Sequence, residues 1–323
     1  MRSLHGSSAA PIVGAAMVGI LTASQARVVG SFGEFTNNDV QFVLVNYVIG
    51  AAVLSIIVIS RTSLRRAVAA LPSLVRTGEL RWYQCVGGVL GSWLVVSSSL
   101  CVPKLGLSLF VVALISGLIV AGVVVDALGL GPAGRKPPTV ARILGAVIAL
   151  SAVGLEVAPE LLTSGWSATT PLFSLLAFSA GCGVAVQQAI NGRVARATGE
   201  PLASGWLNFV TGAVALLIVT LLLAAANIVP LESLQDMPWW AVTPGLLGVA
   251  FVSLAAWSVG AIGVLRLGLL SVAGQIFTAF AFDLFNPMVG VAMDSRTAIA
   301  CALALLAAYV SSRTTTRNRQ MVS

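Results

Sequence analysis

Ten apolar runs, interrupted by polar or Pro/Gly clusters, make up most of the chain. They fall near 10–29, 40–60, 82–101, 107–127, 141–157, 168–190, 202–225, 241–261, 267–290 and 297–312. Each is long enough, with some tilt, to cross roughly 30 Å of hydrocarbon as a helix. The runs are continuous, and a lipid-facing backbone must satisfy its own hydrogen bonds, so helices are expected and not strands. The pattern predicts an all-α polytopic membrane protein with ten transmembrane helices.

Composition narrows the class. Of 323 residues, 58% are hydrophobic and 9% charged, whereas an average soluble domain carries about 25% charged residues. That is too little charge to clothe a soluble enzyme, and too much apolarity for disorder. The longest polar stretch, Arg61 to Arg81, is too short for a nucleotide-binding domain, and no Gly-x-x-x-x-Gly-Lys-Ser/Thr loop occurs. The chain by itself is therefore not an ATP-driven pump. Cys85, Cys101, Cys182 and Cys301 each sit in an apolar run without metal-ligand spacing, which suits small core residues. The single histidine, His5, lies in the N-terminal tail, so His-based zinc sites and Ser–His–Asp triads are excluded. No metal or cofactor is expected.

The charges also test the span count. With a cytoplasmic N-terminus, the inner segments hold fifteen of the eighteen bases: Arg2, Arg61, Arg65, Arg66, Arg76, Arg81, Arg135, Lys136, Arg142, Arg193, Arg196, Arg266, Arg313, Arg317 and Arg319. The outer connections hold Lys104 and Arg296, and Arg27 lies near the outer end of the first span. The acids lean outward, at Glu34, Asp39, Glu156, Glu160, Glu232, Asp236 and Asp294. Basic loops resist translocation, so the split supports an even number of spans with both termini in the cytoplasm. The net charge of +7 is accordingly an orientation signal, and no nucleic-acid partner is expected. The first run imitates a cleavable leader. The recurrence of Gln25 and its neighbours later in the chain argues against that reading.

That recurrence is an internal repeat. A shift of 162 residues aligns GILTASQARVVGSFGEFTNNDVQFVLVNYVIGA, from Gly19, with GCGVAVQQAINGRVARATGEPLASGWLNFVTGA, from Gly181. Gln25 then meets Gln187, Gly30 meets Gly192, Asn46 meets Asn208, Tyr47 meets Phe209 and Gly50 meets Gly212. Further on, a shift of 157 pairs Trp82 with Trp239, Gly88 with Gly245, Gly91 with Gly248, Gly106 with Gly263, Gly117 with Gly274 and Asp126 with Asp283. Each half, 1–160 and 161–323, holds five spans. An odd number returns the chain to the opposite side, so the halves are expected to be inverted. Such repeats supply two nearly equivalent states, one open to each side, with the site near mid-membrane where they meet.

Two segments, QQAINGRVARATGEPLASGWLNFVTG and VPKLGLSLFVVALISGLIVAGVVVDALGL, resemble the YdcZ-like family of the drug/metabolite transporter superfamily. The first matches its first-helix motif, and the second matches through its Pro-x-Leu-Gly start and Asp-x-x-Gly end. The likeness covers nearly the whole chain as two five-span units joined head to tail. It implies a ten-helix bundle and small-molecule transport, with export expected. Val29 stands where the second half has Asn191, Leu118 where it has Gln275, and Asp283 is followed by Leu-Phe-Asn without the glycine. An asymmetric site is therefore expected.

Polar residues inside the runs are the site candidates. Gln187 and Asn191 are four apart and share a helical face, so both amides can meet one solute or fix helix packing; Gln25 is the counterpart of the first. Gln188 faces another way, and Asn46 and Asn208, each four before a glycine, suit packing. Gln275, deep in its span with Thr278 three positions on, is the leading candidate, and Ser116 lies at similar depth. Trp257 suits an aromatic wall or helix packing. Asp126 and Asp283 are the acids within the spans, and a buried carboxylate can carry a proton, the deeper Asp283 more readily.

The expectation is a bacterial inner-membrane secondary transporter working by alternating access on a neutral, zwitterionic or amphipathic metabolite or drug. Its partners are that solute, the lipid bilayer and, as one possible assembly, a second copy of the chain. The rival readings are an enzyme acting on lipid-linked substrates and a lipid-scrambling or assembly factor.

Overall fold

The computed structural model describes residues 9–32, 35–132, 134–135, 137–164, 169–287 and 294–312. Arg2, His5, Glu34, Lys136, Arg313, Arg317 and Arg319 lie outside the described residues, as do the side chains of Glu156, Glu160 and Arg266. The described chain is helical: α1 (Ala9–Gly30), α2 (Asp39–Ser60), α3 (Thr62–Arg76), α4 (Gly88–Leu128), α5 (Val140–Ser164), α6 (Thr169–Thr198), α7 (Pro201–Ala225), α8 (Thr243–Phe285) and α9 (Ser295–Ser312). Short 3-10 turns at Trp82–Cys85, Leu234–Asp236 and Trp239–Val242 join them. The structure thus has the all-α, polytopic character that the apolar runs predict.

At 41 and 43 residues, α4 and α8 would each reach about 60 Å if straight, twice the hydrocarbon thickness. Their contacts show that each folds back. The first arm of α4 descends α6: Gly91 lies beside the Gln187 amide, the Trp93 indole donates to Ser179 Oγ at 3.1 Å, and Cys101 Sγ reaches the Phe173 carbonyl at 3.4 Å. The second arm climbs again, with Gly117 against Phe178, Val125 against Ala185 and Ala189, and the Gly129 and Leu130 carbonyls receiving Arg193. The reversal falls at Gly106, with φ 76° and ψ 165°, a conformation open essentially to glycine.

Helix α8 uses α1 in the same way. Gly248 sits by Gln25, Ser258 by Gly14, Ser271 by Gly19, and Arg27 donates to the Asn286 carbonyl. Counting two arms in α4 and in α8, ten helical arms match the ten apolar runs. Helix α3 is the addition: amphipathic, it buries Leu64, Ala67 and Leu71 and lies across the ends of α2, α6 and α7.

Small residues let these helices approach to backbone contact, and the contacts come in exchanged pairs. A side chain at Gly19 would strike the Ser271 carbonyl, and one at Gly181 the Leu114 carbonyl. Gly117 meets Phe178 and Cys182, while Gly274 meets Ala16 and Ile20. Under the two sequence shifts these are the same contacts with the halves interchanged. The end of α1 (Gly30) and the start of α6 (Phe173) both meet α4 at residues 101–102, so α1 and α6 run in opposite directions. At the centre stands the second arm of α4, buried without interruption from Leu105 to Gly117, as an all-round apolar helix should be.

Candidate functional site

A cleft opens beside that central arm, between α1, both arms of α4, and α8. Thr22, Gln25, Ser98 and Gln275 supply its polar lining, and Val29, Leu94, Val95, Phe110, Val111 and Leu114 its apolar walls. The cavity between the walls is ≈ 10 Å³. That is room for about one water molecule. The hydroxyls of Thr22 and Ser98 donate to carbonyls of their own helices, at 2.8 and 2.9 Å, leaving oxygen lone pairs for a solute. Among the described residues, no charged side chain lines the cleft.

Of the residues singled out in the sequence, Gln25 and Gln275 are brought together here from α1 and α8. The Gln275 amide makes no hydrogen bond among the described residues. Gln25 Nε2 donates to the Pro244 carbonyl at 2.7 Å. Gln187 and Asn191 stand elsewhere, at the start of α4 near Gly87 and Gly91, together with Asn208 and the Tyr47 hydroxyl. Ser116 is fully buried, and its hydroxyl shares its one proton between the Val112 and Ala149 carbonyls, both at 2.8 Å, which ties α4 to α5. Trp257 is 53% exposed on the outer surface of the bundle, by Gly14.

The two aspartates have different tasks. Asp283, 5% exposed, accepts from Leu107 N at 3.1 Å and Ser108 N at 2.6 Å. It caps the free N–H groups that the Gly106 reversal leaves on the second arm of α4, from the neighbouring α8. Asp126 instead pairs with Arg142 at 2.8 Å, across the connection between α4 and α5. The repeat pairs these residues by position, but they have diverged in contact. Thr22, Ser98 and Phe110 were not anticipated. The run Ser97–Ser99 in an apolar span was the available signal for one of them.

The two ends of the bundle differ in the same manner. At the end carrying the α1–α2 connection, Asn46 Nδ2 donates to the Ala241 carbonyl and Asn46 Oδ1 accepts from Gly245 N, each at 2.8 Å. With Gln25 on Pro244, these bonds fasten α1 and α2 to the start of α8. The Thr36 hydroxyl and Asn37 N–H hold the Glu232 carboxylate, and Gln41 exchanges bonds with the Glu232 backbone at 2.8 and 2.9 Å. At the opposite end the repeat puts Gln187 opposite Gly87, and Asn208 opposite Gln84 and Gly88. The corresponding bonds are not made among the described residues, although Asn208 Oδ1 lies 3.1 Å from where a Cβ on Gly87 would stand. Helices meet at backbone contact at both ends, Gly88 against Asn208 and Gly245 against Asn46, and one end is hydrogen-bonded as well.

Comparison with known proteins follows the same division. The sequence model of the family described as "Putative inner membrane exporter, YdcZ" matches twice, over residues 10–155 and 172–310. No curated protein matches. A solved crystal structure, described only as that of a protein, superposes with a TM-score of 0.56 at 21% identity, covering 96% of this chain and 99% of the other. That likeness speaks to the fold alone. The paired match, one on each half of the bundle, shows that the chain belongs to the YdcZ family of drug/metabolite transporters.

Proposed function

We propose that the chain is a secondary transporter that exports a small neutral, zwitterionic or amphipathic solute by alternating access. The inner-membrane exporter description of its family supports a transport role. The observation that carries the reading is the unequal fastening of two equivalent ends. Gln25 and Asn46 are engaged at one end, while Gln187 and Asn208 make no corresponding bond at the other among the described residues. Halves 1–160 and 161–323 are the two moving units, and exchanging their conformations exchanges which amides lock. The end with Arg61, Arg65, Arg66, Arg76, Arg81, Arg193 and Arg196 is the cytoplasmic one. The locked end then faces outward, and the unlocked end is the one free to part and admit solute from the cytoplasm, as export requires.

The cleft sets the substrate class. Uncharged amides and hydroxyls suit neutral or internally compensated polar groups, and Phe110 with its aliphatic neighbours suits an apolar moiety. The proton carrier is Asp283. Protonating one of its oxygens removes an acceptor from the Leu107 or Ser108 N–H and loosens α4 from α8 at the reversal. Asp126, already paired with Arg142, is the weaker choice. Purified protein in sealed liposomes, offered a panel of labelled neutral and zwitterionic metabolites and amphipathic drugs, tests the function. Saturable flux of at least one compound is expected. Transport is refuted if no compound crosses faster than through protein-free membranes.

A further inference from the structure

Helix α3 lies at the membrane surface by construction, because α2 leaves the bilayer at its start and α4 re-enters shortly after its end. Its inner face is occupied: Leu71, Leu80 and Val194 pack together with Val68, Leu74, Val75, Trp206 and Leu207 around them. On a helix of 3.6 residues per turn, Arg65 and Arg76 fall within about 20° of arc on one flank, and Arg61, the extended N-cap residue, precedes Arg65 by one turn. All three are exposed, as is Arg66. From Arg61 to Arg81 there are five arginines and one acid, Glu79. Trp82 and Tyr83 follow α3 in the chain, 71% and 48% exposed and packed edge to face at 6.1 Å. Exposed aromatics of this kind sit at headgroup level.

Other arginines at this end are already employed. Arg193 donates to the Gly129 and Leu130 carbonyls, Arg196 to Pro132, Arg135 to Ala127, and Arg142 pairs with Asp126. Those of α3 have no acidic partner among the described residues, and Arg65 reaches only the Thr62 hydroxyl, at 3.4 Å. We propose that the flank of α3 carrying Arg65 and Arg76, together with Arg61 before it and Trp82 and Tyr83 after it, is a binding surface for the headgroups of anionic phospholipids. Each guanidinium offers a planar fork of N–H donors to a phosphodiester. Anionic lipids also attract juxtamembrane basic clusters, about fivefold per arginine, so three give ~100-fold. The surface is separate from the transport cleft and does not depend on it.

Native mass spectrometry of the full chain, equilibrated with equal amounts of phosphatidylglycerol and phosphatidylcholine, reads the preference directly. The wild type is expected to retain phosphatidylglycerol selectively, and to lose that selectivity at high salt. Replacing the three residues together (R61Q, R65Q and R76Q) should remove most of it, while the R61K, R65K and R76K combination keeps the charge and should retain much of it. R193Q, at a tied arginine, should leave it unchanged. Equal retention of the two lipids by the wild type, or full selectivity in the glutamine triple variant, overturns the proposal. Displacement of the lipid by millimolar inorganic phosphate overturns it too, since the surface would then serve a soluble anion. Should the glutamine variant fail to fold, the salt titration of the wild type and the lysine variant decide the matter.

Discussion

At position 275 an amide stands in a closed cleft without a hydrogen-bond partner among the described residues, and the repeat puts a leucine, Leu118, at the corresponding place. A leucine therefore fits the backbone there. Q275L is expected to leave thermal stability within about 0.5 kcal/mol and to raise the transport KM about tenfold, the worth of one lost solute hydrogen bond. An unchanged KM would remove Gln275 from the site. Asp283 predicts the opposite division. D283N keeps one acceptor and turns the other against a backbone N–H, so stability should fall by about 1–3 kcal/mol, and flux should lose its pH dependence. If thermal melts fall while the pH profile of flux is retained, Asp283 is a cap and not a proton carrier. The polar residues were visible in the sequence because lipid makes each one conspicuous, yet their grouping was not. Gln25 and Gln275 meet from α1 and α8, 250 positions apart in the chain, whereas Gln187 and Asn191 share a face and point to the other end. Thr22 and Ser98 were hidden because hydroxyls that bond their own helix are tolerated anywhere in a span.

The elements that matter most are the two folded-back helices. G106A forces an alanine into a conformation that glycine alone adopts readily, at a cost of about 1–3 kcal/mol. It also disturbs the N–H groups that Asp283 caps. The expected result is a lower melting temperature, with G122A, a site with open space around it, near wild type. Equal melts for both would mean that the reversal is not held by Gly106. Apolar runs located these arms because their length repeats the bilayer thickness, and an interruption as short as the one at 102–106 still registered through Pro103, Lys104 and Gly106. Helix α3 escaped because its arginines gave it the profile of a connection. Its apolar positions, Leu64, Val68, Leu71 and Val75, carry the helical spacing that would have revealed it. Helix α6 also runs past the expected 190 to Thr198, since Arg193 and Arg196 continue the helix beyond the apolar core and tie its last turns to the α4–α5 connection.

Across the whole molecule, the two ends are alike in packing and unlike in hydrogen bonding among the described residues. The glycine contacts keep both halves in van der Waals register, and a few amides decide which end is fastened. Small differences of this kind, one to three hydrogen bonds worth about 1 kcal/mol each, are the right size to bias a two-state equilibrium without freezing it. The repeat could be read from Gln25, Asn46 and the glycines. The fastening could not, because it depends on the Pro244 and Ala241 backbone carbonyls and the Gly245 N–H, which side-chain identity does not advertise. The most direct test places one cysteine in the cleft at Ser98, with Cys85, Cys101, Cys182 and Cys301 replaced by serine, and follows its reaction with a membrane-impermeant thiol reagent applied to intact cells. Slow labelling is expected in that background, and fast labelling when Gln25→Ala and Asn46→Ala are added. Labelling at the same rate with and without the two amides would contradict the unequal fastening.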